Sequence, residues 1–309
     1  MRRLVIILIA IMMLVSCSKE NVDDGSFKVV AIDFPSYDAA RAVLGDNGNL
    51  KMLLPPGAVS HGYEPTAKDM VSLSEASLVV FTGGESDAWV EKILVALDEK
   101  VPSFRLVDQF ELLEAEHSDG IDHEEHSHEH GHESELDEHV WTSPLNEIRI
   151  IEGLVATLSE LDAENADEYE SNGRAYIKEL KSLDSQLRDI FQSSERDTII
   201  FASRFPLLYF ATDYGLDYHA AFPGCAEESE PSARTMATLI DIVKEENIPV
   251  IFNIEFGSPL IANTIAEESG AKVREFHSIH NITTLDFENG ETYLTLMERN
   301  IEALKEAFL

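Results

Sequence analysis

A neutral imidazole presents a nitrogen lone pair, which makes histidine the commonest protein ligand for transition metals. This chain has eleven histidines, and they form two populations. Six of them (His117, His123, His126, His128, His130 and His132) lie in the segment 114–138, which also holds eleven acidic residues and no Lys or Arg. With almost no apolar content, that segment cannot bury enough surface to offset the entropy of ordering it, and it reads as a disordered surface loop. Such tracts bind metals weakly and in several arrangements. The expectation is a low-affinity collector of zinc. The others that matter lie beside short apolar runs. His61 follows Leu53-Leu54-Pro55-Pro56-Gly57, and His139 sits in Asp137-Glu138-His139-Val140-Trp141. His277 and His280 follow Ala271–Phe276. If those runs are parallel strands, ligands gather beyond their carboxyl ends, and three such positions could meet in one cleft.

The elements around them support this. Phe27–Ile32, Leu50–Leu54, Ser77–Thr82 and Ser103–Val107 read as strands, separated by helical periods at Asp38–Leu44, Thr66–Ala76 and Ser86–Leu97. The second half repeats the theme. Strands are expected at Thr198–Ala202, Val250–Ile254 and Ala271–Phe276, and the final helix at about 292–308. Alternation of this kind argues for parallel α/β sheets. Between the halves, Tyr169, Tyr176, Leu180, Leu183, Leu187 and Ile190 fall on one face of a helix spanning roughly 163–191. The fold expected is α/β: two similar lobes with mostly parallel sheets, joined by one long rigid helix, with the site in the interlobe cleft. The alternative is a pair of helices broken at Asn172-Gly173.

The ends and the composition set the compartment. Arg2-Arg3 precede twelve apolar residues, Leu4–Val15, a length that suits a signal peptide rather than a membrane span. Leu14-Val15-Ser16-Cys17 resembles a bacterial lipobox, which implies lipidation at Cys17 and an anchored, extracytoplasmic protein. Its only other cysteine is Cys225, so no disulfide framework is expected. The expected organisation is a signal peptide at 1–16, a tether at 17–26, an N-terminal lobe at 27–161, a linking helix at 162–193 and a C-terminal lobe at 194–309. A net charge of −35 disfavours nucleic acid and favours cations. No dinucleotide fingerprint, phosphate loop or basic patch is present.

Several motifs together resemble one family. These are Pro55-Pro56-Gly57…His61…Glu64-Pro65-Thr66, Asp137-x-His139-x-Trp141…Pro144, and Tyr209-Phe210…Tyr214-Gly215-Leu216 followed by Glu230-Pro231-Ser232. They look like the metal-binding subunits of zinc and manganese ABC importers, and an acidic His-rich loop is typical of the zinc members. The resemblance implies a receptor that is not an enzyme, expected to be a monomer, serving an ABC permease with its cytoplasmic ATPase. It places His61 and His139 as first and second ligands. Arg204 stands where the family has a third histidine, and it cannot ligate because it stays protonated. His277 stands where the family has a final aspartate. His61, His139 and His277 are therefore the expected nitrogen ligands, a set that suits Zn2+; Mn2+ prefers more oxygen. The fourth position is open among His280, Glu255, His219, Cys225 and water. His280 is ranked first, and Glu255 doubles as an acid that could orient a ligand histidine. The alternatives are a manganese or iron receptor, a surface adhesin on the same fold, and a zinc-dependent hydrolase. The last would need a catalytic spacing such as His-Glu-x-x-His, which is absent.

Overall fold

The computed structural model describes residues 26–45, 48–58, 63–97, 101–115, 136–222, 224 and 231–309. Cys17, His61, Cys225 and the six histidines of the acidic segment lie outside the described residues.

In the first half, strands β1 (Lys28–Ala31), β2 (Asn49–Met52), β3 (Leu78–Phe81) and β4 (Ser103–Arg105) form one sheet in the order β2-β1-β3-β4. Every pairing is parallel, with Val29 opposite Leu50 and Val30 opposite Val79. The intervening helices are α1 (Phe34–Leu44), α2 (Ala67–Ser74) and α3 (Ala88–Ala96). All four residues of β3 are buried, as a parallel strand covered on both faces requires. The second half repeats the plan. Strands β5 (Thr198–Arg204), β6 (Asp217–Phe222), β7 (Val250–Ile254) and β8 (Lys272–Phe276) are ordered β6-β5-β7-β8, again all parallel. The carboxyl ends of these strands deliver the residues of the cleft: Asp33 after β1, Arg204 at the end of β5, Glu255 after β7 and Ser278, His280 and Asn281 after β8.

Two helices pass between the sheets. Helix α4 (Pro144–Leu161) starts at Ser143, whose hydroxyl accepts from the Leu145 N–H, and buries Ile148, Ile151, Leu154 and Leu158. Helix α5 (Ala166–Ser193) is a single element of 28 residues, about 42 Å at 1.5 Å per residue. It runs unbroken through Asn172-Gly173. Gly173 is needed there because a Cβ would come within 2.4 Å of the Val155 side chain on α4, so the glycine permits a close helix crossing rather than a break.

The remaining helices are α6 (Leu208–Tyr214), α7 (Ala233–Glu245), α8 (Pro259–Ser269), α9 (Thr284–Glu288) and α10 (Tyr293–Phe308). Helix α5 packs against α1 and α4 on one side and α6 and α10 on the other. One apolar core therefore runs from Val29 and Val80 through Leu180 and Leu187 to Phe201 and Phe252. Asp38 adds a polar staple: its carboxylate accepts from the Tyr176 hydroxyl at 3.0 Å and from the Tyr293 backbone N–H at 2.9 Å. First lobe, linking helix and second lobe are thus tied at one buried carboxylate. Among the described residues no helix is long and apolar enough to cross a membrane.

Candidate metal centre

The first half-site is built from local sequence. His139 lies just before a short 3-10 turn, Val140–Thr142. Asp137, two residues earlier, receives both the backbone N–H of His139 at 2.8 Å and its ring Nδ1 at 3.0 Å. That carboxylate fixes the imidazole with its proton on Nδ1 and leaves Nε2 as the free lone pair, the usual arrangement behind a ligating histidine. Burial opposes charge on this ring, but the adjacent Asp137 carboxylate outweighs it and raises the histidine's pKa. Asp137 is itself buried, yet His139 holds its pKa below the usual carboxylate value. Tyr209, from the second lobe, donates its hydroxyl to the Asp137 carbonyl at 2.8 Å and so holds the turn from behind.

The second half-site is assembled from distant residues. After β7, the buried Glu255 accepts from the Ser278 backbone N–H at 2.7 Å and from its hydroxyl at 2.6 Å. Burial, opposed by those bonds, pushes the Glu255 carboxyl up to about 7. Asn300 on α10 takes hold of the same loop one residue earlier. Its side chain accepts from the His277 N–H at 2.7 Å and donates to the His277 carbonyl at 2.8 Å. Ile279 then adopts a left-handed φ of 61°, rare for a β-branched residue. The result separates the two histidines of this segment.

His280 lines the cleft, with its ring 5.4 Å from that of His139 and in edge-on contact. His277 does not. Its Nε2 lies 3.8 Å from Glu275, and the charges acting on it are those of Glu275, Arg299, Asp286 and Glu291. His277, expected from the sequence to join His139, is thus not among the residues that line the cavity, and Asn300 holds its backbone. Burial, the largest influence, lowers its pKa.

Between the half-sites lies a cavity of about 130 Å³, lined among others by Asp33, His139, Arg204, Glu255, Ser278 and His280. Trp141 packs against both histidines from behind the cavity lining. It is fully buried, its ring is 5.3 Å from His139 and 5.4 Å from His280, and its indole N–H donates to the Ser278 carbonyl at 3.0 Å. Arg204 faces the cavity, and its charge lowers the proton affinity of His139. His219 lies within β6 and is not among the lining residues. Among the described residues, no three His, Cys, Asp or Glu side chains gather closely enough to hold a metal on their own. The described ligand candidates are the pair His139 and His280, with Glu255 behind the latter. Asp33, Ser278 and Asn281 belong to the cavity but are not singled out by sequence reasoning. Asp33 could have been, since it is an acid directly after the first strand.

The chain approaching His61 is tied to this place. Asn281 accepts from the Gly57 N–H at 3.0 Å and donates to the Ala58 carbonyl. The loop after β2 in one lobe is thereby bonded to the residue next to His280 in the other.

Residues 29–307 match the family described as zinc-uptake complex component A, periplasmic. The zinc-binding lipoprotein AdcA of Streptococcus pneumoniae (strain ATCC BAA-255 / R6) is 33% identical over 298 residues, covering 95% of this chain and 58% of that protein. The chain thus spans a little over half the length of that relative. The high-affinity zinc uptake system protein ZnuA of Bacillus subtilis (strain 168) is 29% identical over 300 residues, covering 95% of this chain and 92% of ZnuA. The crystal structure of the Zn(II)-bound ZnuA-like domain of Streptococcus pneumoniae AdcA superposes with a TM-score of 0.76 at 30% identity, over 92% of this chain and 99% of that one. Two parallel-sheet lobes on one long helix, a cleft lined by a histidine from each lobe, and a sequence match over nearly the whole described chain lead to one conclusion: this chain belongs to the zinc-uptake component A family of substrate-binding proteins.

Proposed function

We propose that this chain is an extracytoplasmic receptor that captures Zn2+ between its lobes and delivers it to the permease of an ABC importer driven by a cytoplasmic ATPase. The observation that carries the reading is the pair of imidazoles meeting edge-on in the cleft, one from each lobe, with ring centres 5.4 Å apart. A zinc–nitrogen bond of about 2.0–2.1 Å plus a ring radius of roughly 1.2 Å puts the metal about 3.2 Å from each ring centre. Two rings 5.4 Å apart would then subtend about 115° at the ion, close to the tetrahedral angle that zinc adopts.

His139 and His280 are the assigned nitrogen ligands, and His61 is the third. Its support is the chain itself. Ala58 is bonded beside His280, and three further residues reach at most about 10 Å. Glu255 is assigned the orienting role, through Ser278, because both its oxygens are occupied there. His277 keeps only the place that the family resemblance gave it. The relatives named zinc-binding and the Zn(II)-bound neighbour support zinc over manganese. Anchoring through lipid at Cys17, weak zinc collection by His117, His123, His126, His128, His130 and His132, and a monomeric state complete the proposal.

The test is inductively coupled plasma mass spectrometry of the isolated protein, followed by calorimetric titration of the metal-free form. One tightly held zinc per chain is expected, lost in His139→Ala. A tight site that survives His139→Ala would overturn the proposal.

A further inference from the structure

Ser278 is the point where both lobes take hold of the second half-site. From the first lobe, the indole N–H of Trp141 donates to its carbonyl. From the second, Glu255 receives both its backbone N–H and its hydroxyl. The next residue is Ile279, fully buried and in the left-handed region. A β-branched side chain does not adopt that conformation for its own sake; it persists where the surroundings over-determine it. The surroundings here are the three bonds to Ser278, with the two from Asn300 to His277 just before them. His280, the residue after this turn, lines the cavity, and His277, before it, does not.

We infer that Trp141 and Glu255 are positioning residues for metal binding: by bracketing Ser278 from opposite lobes they hold the Ile279 turn and thereby aim the His280 ring at the ion. Trp141 lies two residues after His139, so the same side chain also fixes the distance between the half-sites. Trp141 contributes through the direction of its N–H as well as through its bulk, because a phenyl ring could pack against the two histidines but could not donate to Ser278. The inference rests on the reading of His280 as a ligand.

The experiment is a double-mutant cycle on the full chain, read as zinc affinity by competition with a chromophoric chelator. Trp141→Phe removes the indole donor and keeps an aromatic ring against His139 and His280. Loss of one buried hydrogen bond predicts weakening by up to about tenfold, together with faster zinc dissociation. In a His280→Ala background the same substitution is expected to cost nothing further, since the ring it aims is gone. An equal loss in both backgrounds overturns the positioning role and leaves the zinc-receptor reading intact. If His280→Ala alone binds zinc as tightly as the unmodified chain, the ligand assignment fails and the inference fails with it. Should Trp141→Phe not fold, as judged by circular dichroism, Ser278→Ala removes the hydroxyl bond to Glu255 and enters the same cycle with the same two decisive outcomes.

Discussion

The two half-sites of the cleft reach similar ends by different means. His139 is held by Asp137, two residues away, in a short turn with ordinary backbone geometry. His280 is held by bonds to its loop from residues 23 and 137 positions distant, around a strained turn at Ile279. The first half-site is specified by local chemistry and the second by the completed fold. The His139 turn makes its own ring contact locally, with Tyr209 of the second lobe bonding behind it, whereas the loop before His280 takes its bonds from residues of both lobes. That difference also bears on what each mutation reaches. A change at Asp137 removes the partner of one ring, while a change at Glu255, Trp141 or Asn300 removes bonds to the 277–278 backbone before His280.

The largest effect expected concerns which histidine serves the second half-site. His280→Ala should weaken zinc binding by more than about 100-fold, beyond the 10–100-fold that loss of a supporting partner costs. His277→Ala should leave affinity unchanged, because its Nε2 lies 3.8 Å from Glu275 and it does not line the cavity. Parallel titrations of the two variants decide this, and the reverse order would break the contrast drawn between the half-sites. Next in size is Asp137→Asn, which keeps an acceptor for the backbone N–H of His139 and removes the charge that fixes its tautomer. A loss of about 10–100-fold in zinc affinity is expected, with no change in the fold by circular dichroism. No loss of affinity would mean that the local half-site does not need its local partner.

The smallest effect lies away from the ligands and touches stability alone. Asp87 is fully buried, and burial, with Asp33 and Glu138 nearby, pushes its carboxyl up to about 8. The folded chain therefore keeps a proton that the unfolded chain releases above about 3.9. Its contribution is fully present below that value and declines as pH rises toward the folded value of about 8. Asp87→Asn can still accept from the Gly83 N–H and cannot titrate. Urea midpoints of the metal-free protein at several pH values should fall less steeply in this variant over that window. An unchanged slope would show that Asp87 ionises in the folded state like an exposed acid.

Much of the fold is legible in the sequence. Four of the strands carrying the cleft appear as apolar runs ending near Ile32, Ala202, Ile254 and Phe276. The linking helix shows in the spacing of Tyr169, Leu180, Leu187 and Ile190. Strand β6 is less visible because it is an edge strand with polar Asp217 and a half-buried Tyr218-His219-Ala220, and edge strands carry little apolar pattern. Helix α4 carries its own signal, Ser143-Pro144 followed by Ile148, Ile151, Leu154 and Leu158; a connector beginning at Ala163 leaves it out. At the site, His139 is legible because Asp-x-His is a local motif. The choice between His277 and His280 is not. The period of a strand does not continue past Phe276, and nothing in Ser278-Ile279 announces a left-handed turn of the kind usually marked by glycine or asparagine. The deciding partners, Asn300, Glu255 and Trp141, become neighbours of the loop only once both lobes have folded.

The central claim, that zinc sits between His139 and His280, is tested most directly by X-ray absorption at the zinc edge of the loaded protein, compared with His280→Ala and His277→Ala. The account predicts imidazole nitrogens at about 2.0–2.1 Å, with one fewer in His280→Ala and the full number in His277→Ala. A spectrum that keeps every imidazole in His280→Ala and loses one in His277→Ala would contradict it.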